Sequence, residues 1–358
     1  MDVLTPRALN RATLARQLLL DRADLPAVTA VSQLAGLQGQ APDAPYVGLW
    51  SRLRDFRPDD LAKPLADREV VRSLLMRGTV HLVTAEDCLS LWPTISPVLE
   101  RGLRGHYAND IAALDLPAVV VAGRALLAER PLTRPELGKA LAARWPGANP
   151  TAVSYAVSYL VPTVQVTPRG LWRQSGPAAH TTVEAWLGRP VGAGMPLDDL
   201  VLRYLAAFGP ATVADAQAWS GLTRLKEVFT RLRPHLRVFH DVNGKELFDL
   251  PDAPRPDPDT PAPPRFLPEY DNTLLSHADR TRVIPDARRV PLPPGNGGRC
   301  GTLLVDGEFR GTWSVERDGD TATLVVDAAD QDAIAEEGAR LLHFLAPDST
   351  HAIRFRAG

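Results

Sequence analysis

The sequence of 358 residues predicts an α+β protein, with helix-rich units first and a β-rich C-terminal part. Its length is enough for two or three domains. Before residue 250, a pattern of three helices followed by a hairpin occurs twice clearly and once in a degenerate form. A proline-rich stretch at residues 251–265 then separates these units from residues 266–358, where apolar side chains alternate with a period of two.

Residues 191–250 carry the clearest of the three units. Thr212 and Thr223 stand where N-cap residues precede apolar, helix-like runs. Asn243-Gly244 joins two strand-like runs and is a strong hairpin signal. Three helices followed by a hairpin are the order of a winged helix. The predicted helices cover residues 197–208, 213–220 and 224–233.

Residues 111–190 repeat the same order. Thr133 and Glu136 form a predicted capping box for the second helix, and Asn149 precedes the third. The strand-like runs "TVQV" and "GLWRQ" predict a hairpin around Arg169. The sequence therefore predicts a second winged helix, whose first and third helices cover residues 118–128 and 151–160.

Residues 1–110 show a degenerate version of the unit. Helix-like patterns at residues 8–20, 27–37 and 59–66 come before the strand-like run "TVHLV" at residues 79–83. Together the three segments predict winged-helix domains in tandem.

The segments after the proline-rich linker alternate as strands do. They are "GTLLVDG", "FRGTWSVER" and "TATLVVDA". A helix-like run at residues 331–345 and the strand-like "HAIRFR" follow. These patterns predict a small, mainly antiparallel sheet in a β-rich C-terminal domain, residues 266–358.

The composition is typical of a soluble globular protein, with 45% hydrophobic and 23% charged residues. No apolar run approaches the roughly 20 residues that a membrane helix needs, and the N-terminus has no apolar signal core. The only cysteines, Cys88 and Cys300, are far apart, which argues against a disulfide scaffold and a cysteine zinc site. We therefore expect a cytoplasmic location and no membrane partner.

Charge is distributed unevenly along the chain, although the net charge is only -2. Residues 251–358 hold 12 basic and 18 acidic side chains, a net of -6. The preceding 250 residues therefore carry +4, and nearly all of their positive charge is arginine. Arginine forks suit phosphate better than lysine does, so the sequence permits a basic groove for nucleic acid.

Basic side chains on the two clear units are candidates for contacts with DNA phosphates. The predicted third helix of the last unit carries Arg224 and Lys226. The predicted wing of the middle unit carries Arg169 and Arg173. Neither third helix displays a row of Asn, Gln and Arg side chains for reading bases, so sequence-specific recognition is not predicted.

Signatures of common cofactor and metal sites do not occur in the sequence. It has no GxGxxG, no GxxxxGK[ST], no GxSxG and no HExxH. His277 and Asp279 in "SHADR" are poor evidence for a metal site, because they supply only two ligands two residues apart. We therefore predict no cofactor and no metal.

The stretch "LQGQAPDAPYVGLW", residues 37–50, places polar residues among apolar ones. In an extended chain Gln38 and Gln40 would share one face, where their amides could hold a water or a polar group. Pro42 disfavours helix before it, and Gly39 frees the turn between the two amides. The alternative is that both glutamines cap a helix end and bind loop backbone. Two secondary site candidates in the same stretch are Asp43 and Tyr46.

The stretch "LLMRGTVHLV", residues 74–83, is the second polar site within an apolar run. Arg77 and Thr79 could grip a DNA phosphate at a turn, and His81 would lie on the same strand face as Thr79. The alternative is a buried arginine and a histidine satisfied by protein partners.

The stretch "RFLPEYDNTLLSHADRTRVI", residues 265–284, has many polar residues for an apolar segment. They could contribute to a DNA site, or they could form an internal network of hydrogen bonds and salt bridges. The candidates are Asp271, Asn272 and His277 as secondary site residues and Arg280 and Arg282 as DNA contacts.

These three stretches, at matching relative places, resemble the bacterial winged-helix DNA glycosylases, the AlkZ/YcaQ-like family. The resemblance covers essentially the whole chain. It implies tandem winged helices and a β-rich C-terminal part in a C-shaped molecule with a basic concave surface. It also implies a partner, double-stranded DNA with alkylated or crosslinked purines, and we expect the protein to be a monomer.

The family's catalytic motif, glutamine–aliphatic–glutamine, maps onto Gln38 and Gln40, with Gly39 in place of the aliphatic residue. The resemblance implies a monofunctional DNA glycosylase for N7-alkylated purines, including the unhooking of interstrand crosslinks. The two amides would place a water for attack at C1′. Such an activity would suit DNA repair or self-resistance to a DNA-alkylating natural product.

Two other functions stay open on the residues alone. Winged helices commonly serve non-catalytic DNA-binding or regulatory proteins. The near-neutral charge and the uncharged helix predicted at residues 151–160 would suit an interaction or scaffold protein.

Overall fold

The computed structural model describes residues 2–285, 300–328 and 332–356. In these ranges the chain forms thirteen α-helices and three β-sheets, which confirms the α+β class. The helices are α1 (Pro6–Arg16), α2 (Ala27–Gln33), α3 (Ala44–Trp50), α4 (Asp59–Ala66), α5 (Ala85–Ile111), α6 (Leu116–Glu129), α7 (Arg134–Ala142), α8 (Pro150–Leu160), α9 (Val183–Leu187), α10 (Leu197–Phe208), α11 (Val213–Ser220), α12 (Lys226–Leu232) and α13 (Asp332–Leu345). The strands are β1 (Val3–Leu4), β2 (Leu37–Gln38), β3 (Val70–Leu74), β4 (Val80–Thr84), β5 (Leu132–Thr133), β6 (Thr163–Gln165), β7 (Ala179–Thr182), β8 (Arg237–Asp241), β9 (Glu246–Asp249), β10 (Arg265–Leu267), β11 (Gly301–Val305), β12 (Glu308–Asp318), β13 (Thr321–Asp327) and β14 (Thr350–Arg356).

One six-stranded sheet joins residues 1–110 to residues 111–190. Its strand order is β2-β4-β3-β6-β7-β5. The junction is the antiparallel pair of β3 and β6, where Arg72 stands opposite Gln165. The two predicted N-terminal units therefore share one sheet across the predicted boundary, because β3 and β6 complete each other's backbone hydrogen bonds.

The hairpin predicted around Arg169 differs from the one observed. The segment "GLWRQ" forms turns, and β6 pairs instead with β7 further along, with Thr163 opposite Thr182. Gly170 and Arg173 have φ angles of +92° and +54°. These left-handed conformations interrupt an extended strand, which explains why the second strand begins later than predicted.

Helix α5 has no counterpart among the predicted elements. It runs for 27 residues although Pro93 and Pro97 stand inside it. Proline ordinarily ends or kinks a helix, which hides this element from the sequence pattern. Trp92, Ile95 and Leu99 are buried in a large core, so tertiary packing stabilises a helix that the local sequence disfavours.

Residues 197–249 contain the three helices and the hairpin that the sequence predicts. α10 and α11 have the predicted bounds, and α12 begins two residues later. Thr212 caps α11 in a capping box with Asp215. β8 and β9 pair antiparallel, and β1 adds a parallel strand beside β8. The N-terminus is thereby joined to the last helical unit, while the tandem winged-helix arrangement of the whole stays a prediction.

The C-terminal sheet has the order β10-β11-β12-β13-β14, antiparallel except for the last pair. Phe266, Leu303 and Leu324 of this sheet share a core with Leu49 and Trp50 of α3. The β-rich part therefore packs on the N-terminal helices. The predicted helix at residues 331–345 corresponds to α13. Residue 331, the first of that prediction, lies outside the described ranges. Other parts of the predicted C-terminal domain also lie outside them.

The proline-rich linker, residues 251–265, is bound along its length. Arg7 Nε donates to Pro258 O at 2.8 Å, and Arg11 Nε donates to Thr260 O at 2.7 Å. Both arginines belong to α1, so the linker lies along the first helix and continues into β10.

Within the described ranges, no single helix is long and apolar enough to span a membrane. Only α5 and α6 taken together reach that length and composition, and they are bent by 108° relative to each other.

Candidate active site

Gln38 lies on the edge strand β2, directly after a sharp reversal of the chain. α2 ends at Gln33, and Ala35 and Gly36 have φ angles of +54° and +87°. A Cβ on Gly36 would lie 2.7 Å from Val83 Cγ1, so this turn requires glycine. The reversal brings the end of α2 directly onto the edge of the six-stranded sheet.

Strand β2 and the loop after it bind β4. Gln38 stands opposite His81 in the antiparallel register. Gly39 N donates to Val80 O at 2.8 Å, and Gln40 Oε1 accepts from Val80 N at 3.4 Å. The extended segment predicted after a helix end is therefore present, and both glutamines lie beside the same short piece of β4.

Arg77 holds the Gln38 amide in place. Arg77 Nη2 donates to Gln38 Oε1 at 2.8 Å and to Asn272 Oδ1 at 3.1 Å, and Nη1 donates to Trp219 O at 2.8 Å. Asn272 Nδ2 in turn donates to Gly36 O at 3.2 Å. These contacts bring together residues from three distant parts of the sequence around the side-chain amide of Gln38, a residue that is only 8% exposed.

His81 is a neutral member of this cluster. Its Nε2 lies 3.4 Å from Arg77 Nη2 and can only accept from it, so Nδ1 carries the proton and donates to Thr79 O at 3.0 Å. Burial and the Arg77 charge lower the pKa of His81 to about 3. A group with this pKa is a poor general base at neutral pH.

Arg77 is half-buried and conformationally strained. Burial lowers its pKa to about 10, so the guanidinium is charged at neutral pH. Its φ of +57° is a left-handed conformation that costs a residue with a side chain about 1–3 kcal/mol. The alternative of a histidine satisfied by protein partners describes His81, whereas Arg77 is only half-buried and its guanidinium donates to three protein oxygens. The predicted contact of Arg77 with a DNA phosphate stays a prediction.

Three other predicted site residues lie near the glutamines: Tyr46, Thr79 and Asp43. Tyr46 is fully buried, its hydroxyl donates to Gly170 O at 2.9 Å, and burial raises its pKa. Thr79 Oγ1 donates to Met76 O at 3.1 Å. Asp43 is exposed before α3. Tyr46 and Thr79 therefore stabilise the turns around the site.

The polar residues of "RFLPEYDNTLLSHADRTRVI" divide into separate networks. Only Asn272 reaches the glutamine cluster. Asp271 forms a buried ion pair with Arg52, at 2.8 Å. His277 Nε2 donates to Phe208 O at 2.9 Å, and burial lowers the pKa of this histidine to about 3. The alternative of an internal network therefore describes most of this stretch.

The predicted DNA-contacting residues differ in exposure. Arg282 is buried, at 5% exposed, and Nη1 donates to Pro210 O at 2.8 Å. Its position favours the internal network over a DNA contact, because a phosphate could not reach the guanidinium. Arg169 is half-buried and donates to Gly176 O at 3.0 Å. The exposed members of the set are Arg173, Arg224, Lys226 and Arg280.

Sequence reasoning misses one arginine that contacts the motif. Arg72, in the middle of β3, donates from Nη2 to Gly39 O at 2.7 Å. A single arginine inside the apolar run "VVRSLL" is a signal for such a role, because a buried charge needs a specific partner. The backbone carbonyl of Trp219, which accepts from Arg77, could not be predicted from the sequence, since every residue carries a backbone carbonyl.

Within the described ranges, no group of three or more His, Cys, Asp or Glu side chains could hold a metal ion. A family model described as "DNA glycosylase AlkZ-like" matches residues 31–344. The chain belongs to the AlkZ-like DNA glycosylase family. It is therefore a DNA glycosylase, an enzyme of DNA repair whose partner is DNA.

The fold of this AlkZ-like glycosylase is similar to a solved structure, the DNA glycosylase AlkZ of Streptomyces sahachiroi. The TM-score is 0.78 at 18% sequence identity, and the match covers 99% of this chain and 100% of that chain. No curated protein matches the chain. The glutamine cluster, with its contacts from Arg72, Arg77 and Asn272, lies inside the region that the AlkZ-like family model covers.

Proposed function

We propose that this AlkZ-like glycosylase is monofunctional and excises N7-alkylated purines, with Gln38 and Gln40 placing the attacking water. The observation that carries the proposal is the pair of amides fixed beside β4. Gln38 Oε1 is bound by Arg77, and Gln40 Oε1 by Val80 N. A side-chain amide oxygen has two acceptor positions, which is the capacity that binding both a fixed protein donor and a water requires.

The chemistry of the substrate suits amides without a strong base. A purine alkylated at N7 is cationic, so its N9–C1′ bond is weak and the base leaves without being protonated. Water adds to C1′, the bonding pair of N9–C1′ neutralises the purine, and the proton of the water passes to solvent. The protein then has to orient the water and stabilise an oxocarbenium-like transition state with fixed dipoles.

The neutral form of His81 supports a mechanism that relies on positioning the water and not on a general base. It is the titratable side chain nearest in the sheet register to Gln38, and its pKa of about 3 leaves it neutral. A neutral imidazole whose two nitrogens are both engaged can stabilise the arrangement of Arg77 but cannot take a proton readily. Positioning is therefore the main contribution that this cluster offers to catalysis.

The proposal includes the wider complex with DNA. Tandem winged helices in a C-shaped molecule would hold double-stranded DNA with alkylated or crosslinked purines, acting as a monomer in the cytoplasm. Unhooking of crosslinks would suit self-resistance to a DNA-alkylating product. Four of the predicted DNA-contacting cations are exposed, which leaves them accessible to DNA phosphates: Arg173, Arg224, Lys226 and Arg280.

Release of N7-methylguanine from duplex DNA tests the proposal. We expect base release that leaves an intact abasic site, and we expect Gln38→Ala or Gln40→Ala to lower the single-turnover rate by roughly 10²–10³. DNA affinity should change little, because the amides act on the water.

Gln33→Ala is the matched control, since Gln33 is exposed at the end of α2. It should retain the wild-type rate. No release by the wild-type protein, or full activity of the Gln38→Ala/Gln40→Ala double variant, would contradict the proposal.

A further inference from the structure

Arg72 approaches the glycine between the two glutamines from the interior of the sheet. It is central in β3, with β4 on one side and β6 on the other, and it is 1% exposed. Nη2 donates to Gly39 O at 2.7 Å, and Nε donates to Gln165 Oε1 at 3.2 Å. The guanidinium therefore connects the loop of the motif to β6 of the neighbouring unit.

The third nitrogen of Arg72 lies where a side chain of residue 39 would begin. A Cβ built on Gly39 would be 3.2 Å from Arg72 Nη1, tighter than an ordinary contact. This nitrogen is buried and has no hydrogen-bond partner among the described residues. Glycine at position 39 and arginine at position 72 thus fit each other sterically.

The backbone around Arg72 is shaped to admit the guanidinium. A Cβ built on Gly170 would lie 2.6 Å from Arg72 Cδ, so glycine is required on that side as well. Tyr46 holds the Gly170 carbonyl at 2.9 Å. Burial and then the Arg169 charge lower the pKa of Arg72 to about 10, although the Asp43 charge acts in the opposite direction. A charge buried in this way adds little to stability by itself.

We propose that Arg72 is a positioning residue: by holding the Gly39 carbonyl it sets the directions of the Gln38 and Gln40 amides, and its guanidinium crowds any side chain larger than glycine between them. The part of this inference that concerns rate rests on the proposed function. The part that concerns the loop stands on the contacts of Arg72 alone. Arg72 thereby supplies the rigidity that a glycine would otherwise remove from the motif.

Arg72→Met tests both parts. We expect the single-turnover rate of N7-methylguanine release to fall roughly 10–100-fold, with KM and DNA affinity within about twofold, because a misplaced amide loses the water and not the substrate. We also expect faster deuterium uptake by the peptide that contains residues 37–43, measured by mass spectrometry, because Gly39 N exchanges when its bond to Val80 O opens.

Arg265→Met is the matched control for burial. Arg265 is 6% exposed and donates to the carbonyls of Leu19 and Leu20 at 3.0 and 3.1 Å. It should lower the midpoint of thermal unfolding at least as much as Arg72→Met, while the rate and the exchange of residues 37–43 stay at wild-type values. A rate loss that simply follows thermal stability in both variants would overturn the positioning role.

If Arg72→Met does not fold, a double-mutant cycle with Gly39→Ala and Arg72→Lys tests the proposal instead. Gly39→Ala should slow the reaction several-fold, since its Cβ displaces the guanidinium, and Arg72→Lys should retain part of the rate through one donor. Combining the two should cost less than the sum of the single effects, because lysine lacks the crowding nitrogen. Strict additivity would overturn the steric fit.

The two readouts separate the proposals. If the wild-type protein releases no base, faster exchange of residues 37–43 in Arg72→Met still supports the loop contact while the proposed function fails. Unchanged exchange together with an unchanged rate overturns the role of Arg72 while the proposed function stands.

Discussion

The Gln38 amide takes its orientation from residues far away in the sequence. Arg77 binds its oxygen, and Asn272 binds both Arg77 and the carbonyl of Gly36. Arg77 adopts a left-handed backbone that only surrounding structure can maintain. Strain of this kind often lies at functional sites, and here it aims a charged donor at one of the two proposed catalytic amides.

Asp271 is a buried polar residue whose contacts stabilise the fold and do not reach the glutamines. Both carboxylate oxygens accept from Arg52, at 2.8 and 2.9 Å, and one also accepts from Thr273 N. Burial alone would raise the pKa of Asp271, but the Arg52 charge and the contacts with Thr273 hold it below the ordinary value. The pair fixes the segment from which Asn272 reaches Arg77.

Asp271→Asn should lower the free energy of unfolding by about 3–5 kcal/mol, because it leaves the Arg52 charge buried without a counter-charge. Urea denaturation measures this change. Asp24→Asn, at an exposed position, should change it by less than about 0.5 kcal/mol. A cost for Asp271→Asn as small as that of Asp24→Asn would show that the pair is not what stabilises this segment.

Close approach of elements depends on glycine at a few helix positions. Gly138 lies on α7, where a Cβ would come 2.3 Å from the carbonyl oxygen of Pro150 at the start of α8. Backbone atoms cannot move aside as the end of a flexible side chain can. The absence of a side chain at Gly138 therefore allows α7 and α8 to pack this closely. α7 also contacts β5, the strand at one end of the shared sheet.

Gly138→Ala should therefore destabilise the protein by about 1–3 kcal/mol, the usual cost of overpacking. Gly105→Ala is a matched control in α5, because a Cβ there has nothing within 4 Å. It should raise stability by up to about 1 kcal/mol, the difference in helix propensity between glycine and alanine. Thermal or urea unfolding measures both, and equal effects of the two substitutions would contradict the packing argument.

The whole molecule is joined by contacts that cross the predicted units. Arg16 of α1 pairs with Asp249 of β9 at 2.7 Å with both side chains buried. α1 also binds the linker, and β1 adds to the sheet of β8 and β9. Because the N-terminal helix contacts the last helical unit and the linker, these parts of the chain should unfold together.

Three buried histidines make the stability of the whole molecule depend on pH. Burial is the main reason that the pKa of His81 and of His277 is lowered to about 3 and that of His180 to about 4. In the unfolded chain each returns to about 6.5 and binds a proton below that pH. Stability is therefore fully present above pH 6.5 and is lost as the pH falls towards 4.

Urea denaturation between pH 7 and pH 4.5 should show this loss, at up to about 1.4 kcal/mol per pH unit for each histidine. His180→Gln should remove its share of the slope. A flat profile over this range would mean that the three imidazoles are not buried in neutral form.

Local signals are sufficient for much of the fold. Caps such as Thr212, the Asn243-Gly244 turn and the alternation after residue 300 act over a few residues, so they identify α10, α11, the β8–β9 hairpin and β11 to β13. They fail for α5, where Pro93 and Pro97 contradict a helix that burial imposes. They also fail for β7, because the left-handed residues Gly170 and Arg173 interrupt the predicted strand and β7 begins only at Ala179.

The sequence by itself determined the α+β class, the order of helices and strands in the last helical unit, and the placement of Gln38 and Gln40 together after a helix end. Only the tertiary structure decided which side chains hold them. Arg72, Arg77 and Asn272 reach the motif through strand pairing and packing across 33, 39 and 236 positions of the chain, counted to Gly39, Gln38 and Gly36. Local propensity acts over a few residues, whereas such contacts depend on how whole elements pack, and that is decided by the core that they bury together.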